Sequence, residues 1–437
     1  MQRRMSLWIV ALVLLAAAKG LAADGGGYRG PDRNGVYPQK GLLKRWPECG
    51  PRPIWKFERL GDGWSSVTVV NKTVYVLGGA SPGHLFSFTL DGELKYREPY
   101  GREFQKRFNG SRATVEIKDG KAVFSSGVGV IYCCDAATGK TLWSLDTVAE
   151  FKNQVPGWGY NVSPLIVDDR VVFSIRRGVA TTVAADLATG KTVWANEAST
   201  FAIADSSPIL ARPGKTPLIV DSLWSATIAA DPADGRIVWK DPMKSGSIAT
   251  PVWAEGMLVA SVGGALTAFT PAADGRGFEP AWQGPGFRQI AQIVVLDGKV
   301  FVQGDDTQVR EVREAKAGRE VVTTRPTKVL CLRAFDLKTG KPLKSEPIVK
   351  EGSLWAADGM VYMLEGGEGA WQKGEPARTR ISLVKPTPVG FEIVSRFEPL
   401  VGTKEAWVNA AVAEGRLFIR HGSLIACYDI SDPDHGR

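Results

Sequence analysis

Few residues in this 437-residue chain have the types and spacing that chemistry needs. Histidine occurs three times, at His84, His421 and His435, and no pair or triplet has the spacing that holds zinc, so neither a zinc centre nor a histidine-based triad is expected. Residues 79–83, Gly-Ala-Ser-Pro-Gly, fit the nucleophile-elbow pattern, but that device needs a strand before the serine and a helix after it, and the flanks here read as a β-hairpin. The pair Asp305-Asp306 could contribute to a calcium site. Two adjacent acids opening a loop fall short of the roughly 6–8 oxygens calcium takes, and read as solvated. Cys133 and Cys134 are adjacent in a strand, where successive side chains leave on opposite faces, so joining them would break the pleat. With Cys49, Cys331 and Cys427 the cysteine count is odd, and the spacing is not that of a disulfide framework.

The elements that must position any site are read from a repeated phrase. DAATGKTLW at residues 135–143 returns as DLATGKTVW at 186–194 and DPADGRIVW at 231–239, with a weaker copy at 336–344 and degenerate ones at 90–96 and 274–282. A period of about 40–50 residues indicates a solenoid, a propeller or an array. Each unit has the same grammar. A small residue precedes an apolar strand (163–167), a tight polar turn follows, a β-branched second strand comes next (171–175), and a third strand ends at the aspartate of the phrase. Thr-Gly-Lys then turns the chain into a fourth strand that carries the tryptophan. Units begin near Ser65, Thr114, Ser163, Ser207, Thr250, Gln292, Ser353 and Ala410, which makes eight. The last lacks its fourth strand, and residues 54–58 read as a fourth strand without a first three. The expectation is an all-β, eight-bladed β-propeller of four-stranded antiparallel blades, its ring closed by an N-terminal strand so that no sheet edge is left between the first and last units. Trp143, Trp194, Trp239 and Trp282 fall at equivalent fourth-strand positions and are expected to dock neighbouring blades.

Cys133 to Trp143 and Ala184 to Trp194 resemble the tryptophan-docking repeat of the pyrroloquinoline-quinone (PQQ) β-propeller superfamily, over about residues 28–432. Residues 28–35, YRGPDRNG, followed by Trp46-Pro47 and Trp55, are similar to the opening of exported PQQ-like repeat proteins of unassigned function, and the superfamily includes propellers of BamB-like architecture. The superfamily also contains the quinoprotein alcohol dehydrogenases. For those enzymes the resemblance implies a disulfide of adjacent cysteines over the quinone, calcium ligands, a catalytic aspartate and a tryptophan platform. The repeat is specific for the fold and unspecific for function, and those motifs do not map residue by residue onto this chain. No cofactor is therefore expected, with PQQ and calcium as the alternative.

The residues just before each first strand share one face of such a ring. They are Trp64, Arg112, Trp158, Tyr160, Asn161, Asp205, Arg288, Gln289, Gln292, Trp407 and Asn409. Polar and aromatic groups converging on a funnel suit a ligand. Two insertions extend the same face, residues 305–328, rich in Arg and Glu, and residues 366–380, containing Trp371. The expected function is a non-catalytic binding module that takes a protein or small ligand on this face. The alternative is a PQQ-dependent dehydrogenase with quinone and calcium in the central funnel.

The N-terminus reads as a signal peptide over residues 1–23. Arg3 and Arg4 precede an apolar run at 7–18 that is too short to span a bilayer, and small residues suit a cut after Ala22 or Ala23. The expected organisation is then an N-terminal segment at 24–50, the propeller at 51–432 and a tail at 433–437. The mature chain is expected to be exported, periplasmic or extracellular, monomeric, and without a transmembrane anchor. Removing Arg3, Arg4 and Lys19 lowers the net charge from +8 to about +5, with charges mixed along the chain, and nucleic acid is not an expected partner.

Overall fold

The computed structural model describes residues 26–106, 108–197, 206–223, 226–241, 248–287, 292–316, 319–366, 379–400, 402 and 408–435. The proposed leader, Asp205, Arg288, Gln289, Trp371 and Trp407 lie outside the described residues.

Eight antiparallel sheets make the eight blades of a propeller. The innermost strands are short: Thr68–Val70, Glu116–Lys118, Leu165–Val167, Ile209–Ala211, Val252–Ala254, Val294–Leu296, Leu354–Ala357 and Ala411–Ala413. Space narrows toward the axis, and three or four residues suffice there. Among the described residues the only helix is one turn, Thr147–Phe151. Buried apolar clusters fill the gaps between blades, for example Val123, Ile131 and Leu145 of blade two against Val171, Phe173 and Val183 of blade three.

Strand β2 (Arg52–Phe57) pairs antiparallel with Leu424–Asp429 and supplies the outer strand of blade eight, so the chain closes its own ring. A shorter strand, β1 (Val36–Tyr37), lies parallel to Leu354–Ala357 on the channel side of blade seven. The N-terminal segment thus occupies the channel before it becomes the closing strand.

The repeated phrase is a joint between blades. Asp186 accepts hydrogen bonds from the Thr189 amide (2.7 Å) and hydroxyl (2.6 Å), and Asp135 and Asp336 hold Thr138 and Thr339 in the same way. The turn ends in a glycine with positive φ, 77° at Gly139 and 72° at Gly190. The tryptophan of the preceding blade lies against that glycine. A Cβ on Gly190, Gly235 or Gly340 would come within 2.7, 2.3 or 2.5 Å of the ring of Trp143, Trp194 or Trp282 respectively. Each of these indoles donates Nε1–H to a carbonyl beside the next blade's aspartate, Leu187 (3.1 Å), Pro232 (3.0 Å) and Leu337 (2.7 Å). Trp239 lies against Gly277 and meets Phe269 and Phe278 edge-on. Trp55, on β2, makes the same joint across the closure, with its indole against Gly92 and Nε1 donating to the Leu90 carbonyl at 2.9 Å. Tyr96 stands in for the tryptophan of blade one, donating to the Ala136 carbonyl at 2.9 Å.

The insertion at residues 305–328 is a two-stranded ribbon. Lys299–Lys316 and Arg319–Asp336 are strands of 18 residues each, paired without a slip from Lys299↔Asp336 to Lys316↔Arg319. Continuing the ladder satisfies the backbone groups that a free loop would leave to water. The second insertion is described only at its ends, since residues 367–378 lie outside the described residues.

Candidate functional site

The floor of the candidate site is built first, by a turn-rich segment in the channel. The Gly35 amide donates to the Arg29 carbonyl (2.9 Å), and the Ala356 amide donates to the Gly35 carbonyl (2.7 Å), which fixes the segment to blade seven. Gly26 bridges Val69 of blade one. The Tyr37 hydroxyl donates to the Ala410 carbonyl of blade eight at 2.7 Å. Gly27 has no room for a side chain, because a Cβ there would lie 2.2 Å from a Glu116 carboxylate oxygen.

Two arginines of this segment are buried. Arg33 donates to Glu116 (2.6 Å) on the inner strand of blade two and to the carbonyls of Pro164 (2.9 Å) and Ser163 (2.8 Å) of blade three. Arg29 donates to the Ile293 carbonyl of blade six. Burial pulls both guanidinium groups below their ordinary range, and Glu116 partly offsets this for Arg33. Burial likewise pushes the Glu116 carboxyl up, against the opposing pull of Arg33 and the Tyr28 amide. Tyr28 lies under the Arg33 guanidinium, 5.0 Å from ring centroid to Cζ, and its hydroxyl shares a 2.9 Å hydrogen bond with Thr250 of blade five.

Above Tyr28 opens a cavity of about 180 Å³, whose walls come from the residues that precede the inner strands. Trp64, Arg112, Trp158, Asn161, Gln292 and Asn409 line it, together with Ser66, Ser163 and Ile248. The Arg112 guanidinium sits between the rings of Trp64 (5.0 Å) and Phe104 (5.1 Å) and donates to the Phe108 carbonyl. Trp158 is 46% exposed at the rim, with Arg176 over its ring at 5.4 Å. Tyr160 does not join them, contrary to expectation. Its hydroxyl donates to the Ser174 carbonyl and its ring packs in the core between blades two and three. Alternation along an extended chain sends Asn161 to the cavity and Tyr160 away from it.

Ser66, Ser163 and Tyr28 were not among the residues expected to line the mouth. The serines belong to a belt of hydroxyls that clasps successive blades: Asn409 N donates to Ser66 Oγ (3.0 Å), Thr114 N to Ser163 Oγ (3.0 Å), Ser163 N to Ser207 Oγ (2.9 Å) and Ser207 N to Thr250 Oγ1 (3.3 Å). The signal for the belt was the small residue that opens each unit, which is Ser or Thr in most of them.

The remaining candidates fall elsewhere. Cys133 and Cys134 are free thiols in different blade gaps, and burial pushes them up to about 12 and about 11. Residues 79–83 join the antiparallel strands Thr73–Gly78 and Gly83–Thr89, so no nucleophile elbow forms. His421 is buried, accepts the Gly402 amide on Nδ1 (2.9 Å) and meets Thr379 Oγ1 through Nε2 (3.1 Å), and burial pulls it down to about 4. The Asp306 carboxylate accepts its neighbour Thr307's amide. Among the described residues no cluster of three or more His, Cys, Asp or Glu could hold a metal ion. The described cavity wall offers one guanidinium, amides, hydroxyls and indoles.

The comparisons agree with this architecture. A family model described as outer membrane protein assembly factor BamB matches residues 54–222 and 179–351, together more than half of the chain. No curated protein matches the sequence at a significant level. Among solved structures, BamB from Moraxella catarrhalis is similar with a TM-score of 0.56 at 16% identity, covering 88% of this chain and 98% of that one. A quinohemoprotein alcohol dehydrogenase from Comamonas testosteroni is similar with a TM-score of 0.64 at 12% identity, covering 95% and 82%. A europium-containing methanol dehydrogenase gives 0.57 at 13%, covering 91% and 90%. At these identities the structural likeness speaks to the fold. The family-model match decides membership: the chain belongs to the family of PQQ-like repeat propellers described as outer membrane protein assembly factor BamB.

Proposed function

We propose that this protein is an exported, non-catalytic propeller that binds a small ligand or a protein at the mouth face of its ring. One observation supports the reading above others. The cavity gathers side chains from several blades over a floor made by the chain's own N-terminal segment, and its described wall carries no acid or base placed to do chemistry. The ribbon of blade six extends beyond its blade from the edge between second and third strands, on the side of the mouth, and adds surface there. The family description names an assembly factor, which favours a protein partner.

The competing reading is a PQQ-dependent dehydrogenase, with the fold of the quinohemoprotein alcohol dehydrogenase in its favour. Titrating the mature protein with PQQ and calcium separates the two. The expected result is no stoichiometric shift in quinone absorbance and no dye-linked oxidation of alcohols. Stoichiometric uptake with turnover would overturn the binding-module reading.

A further inference from the structure

The mouth cavity contains acceptors that no donor meets. Asn409 Oδ1 and Gln292 Oε1 are buried and accept no hydrogen bond among the described residues, and Asn409 is only 6% exposed. Buried acceptors are normally satisfied, so these two require a donor from a ligand or solvent. Donors are also available. Ser66 and Ser163 each use Oγ to accept a backbone amide, which leaves the O–H proton of each for another partner.

The charge of the wall narrows the ligand further. Arg112 is its one described cation and disfavours a positively charged guest, while two carbonyl oxygens without donors disfavour an anion. The indoles of Trp64 and Trp158 add flat apolar surface. An uncharged guest that carries both donors and acceptors, and has one flat C–H face, meets all of these conditions. At about 180 Å³ the cavity is smaller than the pockets that enclose drug-sized ligands, and it suits one ring rather than several.

We propose that the cavity binds one pyranose ring of a neutral saccharide, with Asn409 and Gln292 accepting from ring hydroxyls, Ser66 and Ser163 donating, and Trp158 stacking at the rim. The proposal rests on the binding-module reading above and specifies its small-ligand case; it concerns the cavity alone and not the surrounding surface that a protein partner would use.

The test is calorimetry and saturation-transfer NMR on the mature full chain. The probes are neutral hexosides, a matched uronate, a matched amino sugar, and a short peptide rich in Asn and Gln. The expected result is saturable binding of a neutral hexoside, with the uronate and amino sugar at least about tenfold weaker. Asn409→Ala and Trp158→Ala should each weaken that binding about tenfold while leaving the melting temperature without sugar close to that of the parent. Three outcomes would overturn the proposal: no neutral hexoside saturates the protein, a charged sugar binds better, or hexoside binding is unchanged in both variants. Binding of the amide peptide alone would overturn the saccharide assignment and leave the binding-module reading standing. PQQ uptake with turnover would overturn both.

Discussion

Replacing Arg33 by Met is expected to cost the protein roughly 3–5 kcal/mol at neutral pH, the penalty for removing one partner of a buried ion pair. Arg33 is 4% exposed, and its partner Glu116 lies 2.6 Å away on the inner strand of blade two. Without the guanidinium, Glu116 keeps only the Tyr28 amide as a donor, and the carbonyls of Ser163 and Pro164 lose theirs. Tyr28 would lose the cation above its ring, so the damage should extend to the floor of the mouth cavity. The deficit should shrink in acid. Burial already pushes the Glu116 carboxyl up, and removing Arg33 would push it further, so the folded state gains stability as pH falls and the carboxyl takes up its proton. Chemical denaturation at pH 7.5 and pH 5 checks this. Adding Glu116→Gln should recover part of the loss at pH 7.5, because no bare charge then remains. A single variant within about 1 kcal/mol of the parent, or a double variant as unstable as the sum of the singles, would contradict the account.

The opposite sign is expected at Asp221. This residue is fully buried between blades three and four, where Oδ2 accepts from the hydroxyls of Ser174 and Thr182 and Oδ1 accepts from no described residue. Burial pushes its carboxyl up to about 6 from an ordinary value of 3.8. A group whose folded pKa is raised contributes stability as pH falls through that window, and the contribution is missing above about pH 6, where the buried group is charged. A shift of about two units corresponds to roughly 3 kcal/mol. Asp221→Asn removes the charge and should therefore raise stability by up to about 3 kcal/mol at pH 7.5, with the gain disappearing near pH 4. Thermal melts at the two pH values measure it. A variant less stable than the parent at pH 7.5 would mean that the carboxylate is better solvated than its burial implies.

Much of the architecture was legible because repetition amplifies a weak local signal. One Thr-Gly-Lys turn is unremarkable; several copies at a fixed period define a blade and count the ring. The closing strand was legible for the same reason, since residues 54–58 complete a unit that the C-terminus leaves unfinished. The floor was not legible. Residues 28–35 have no alternation, and Arg29 and Arg33 argue for solvent because arginine is rarely buried without a partner. Their partners, Glu116 and the Ile293 carbonyl, come from blades distant in sequence. Tyr160 was misplaced because a one-residue step reverses the face on which a side chain emerges. The ribbon of blade six was legible only as an insertion, because its Arg- and Glu-rich residues lack the apolar alternation of a half-buried strand.

The chain fills its own channel with its N-terminal segment and thereby gives the mouth a floor. Native-state hydrogen exchange tests it most directly, through the amides of Tyr28 and Gly35 and that of Ala356, which donates to the segment. Their protection should be comparable to that of the core strands Thr73–Gly78 and Arg170–Ser174, lost only when the blades themselves open. Rapid exchange of these three amides while the blade strands stay protected would contradict it, because the channel would then be open and the cavity without a floor.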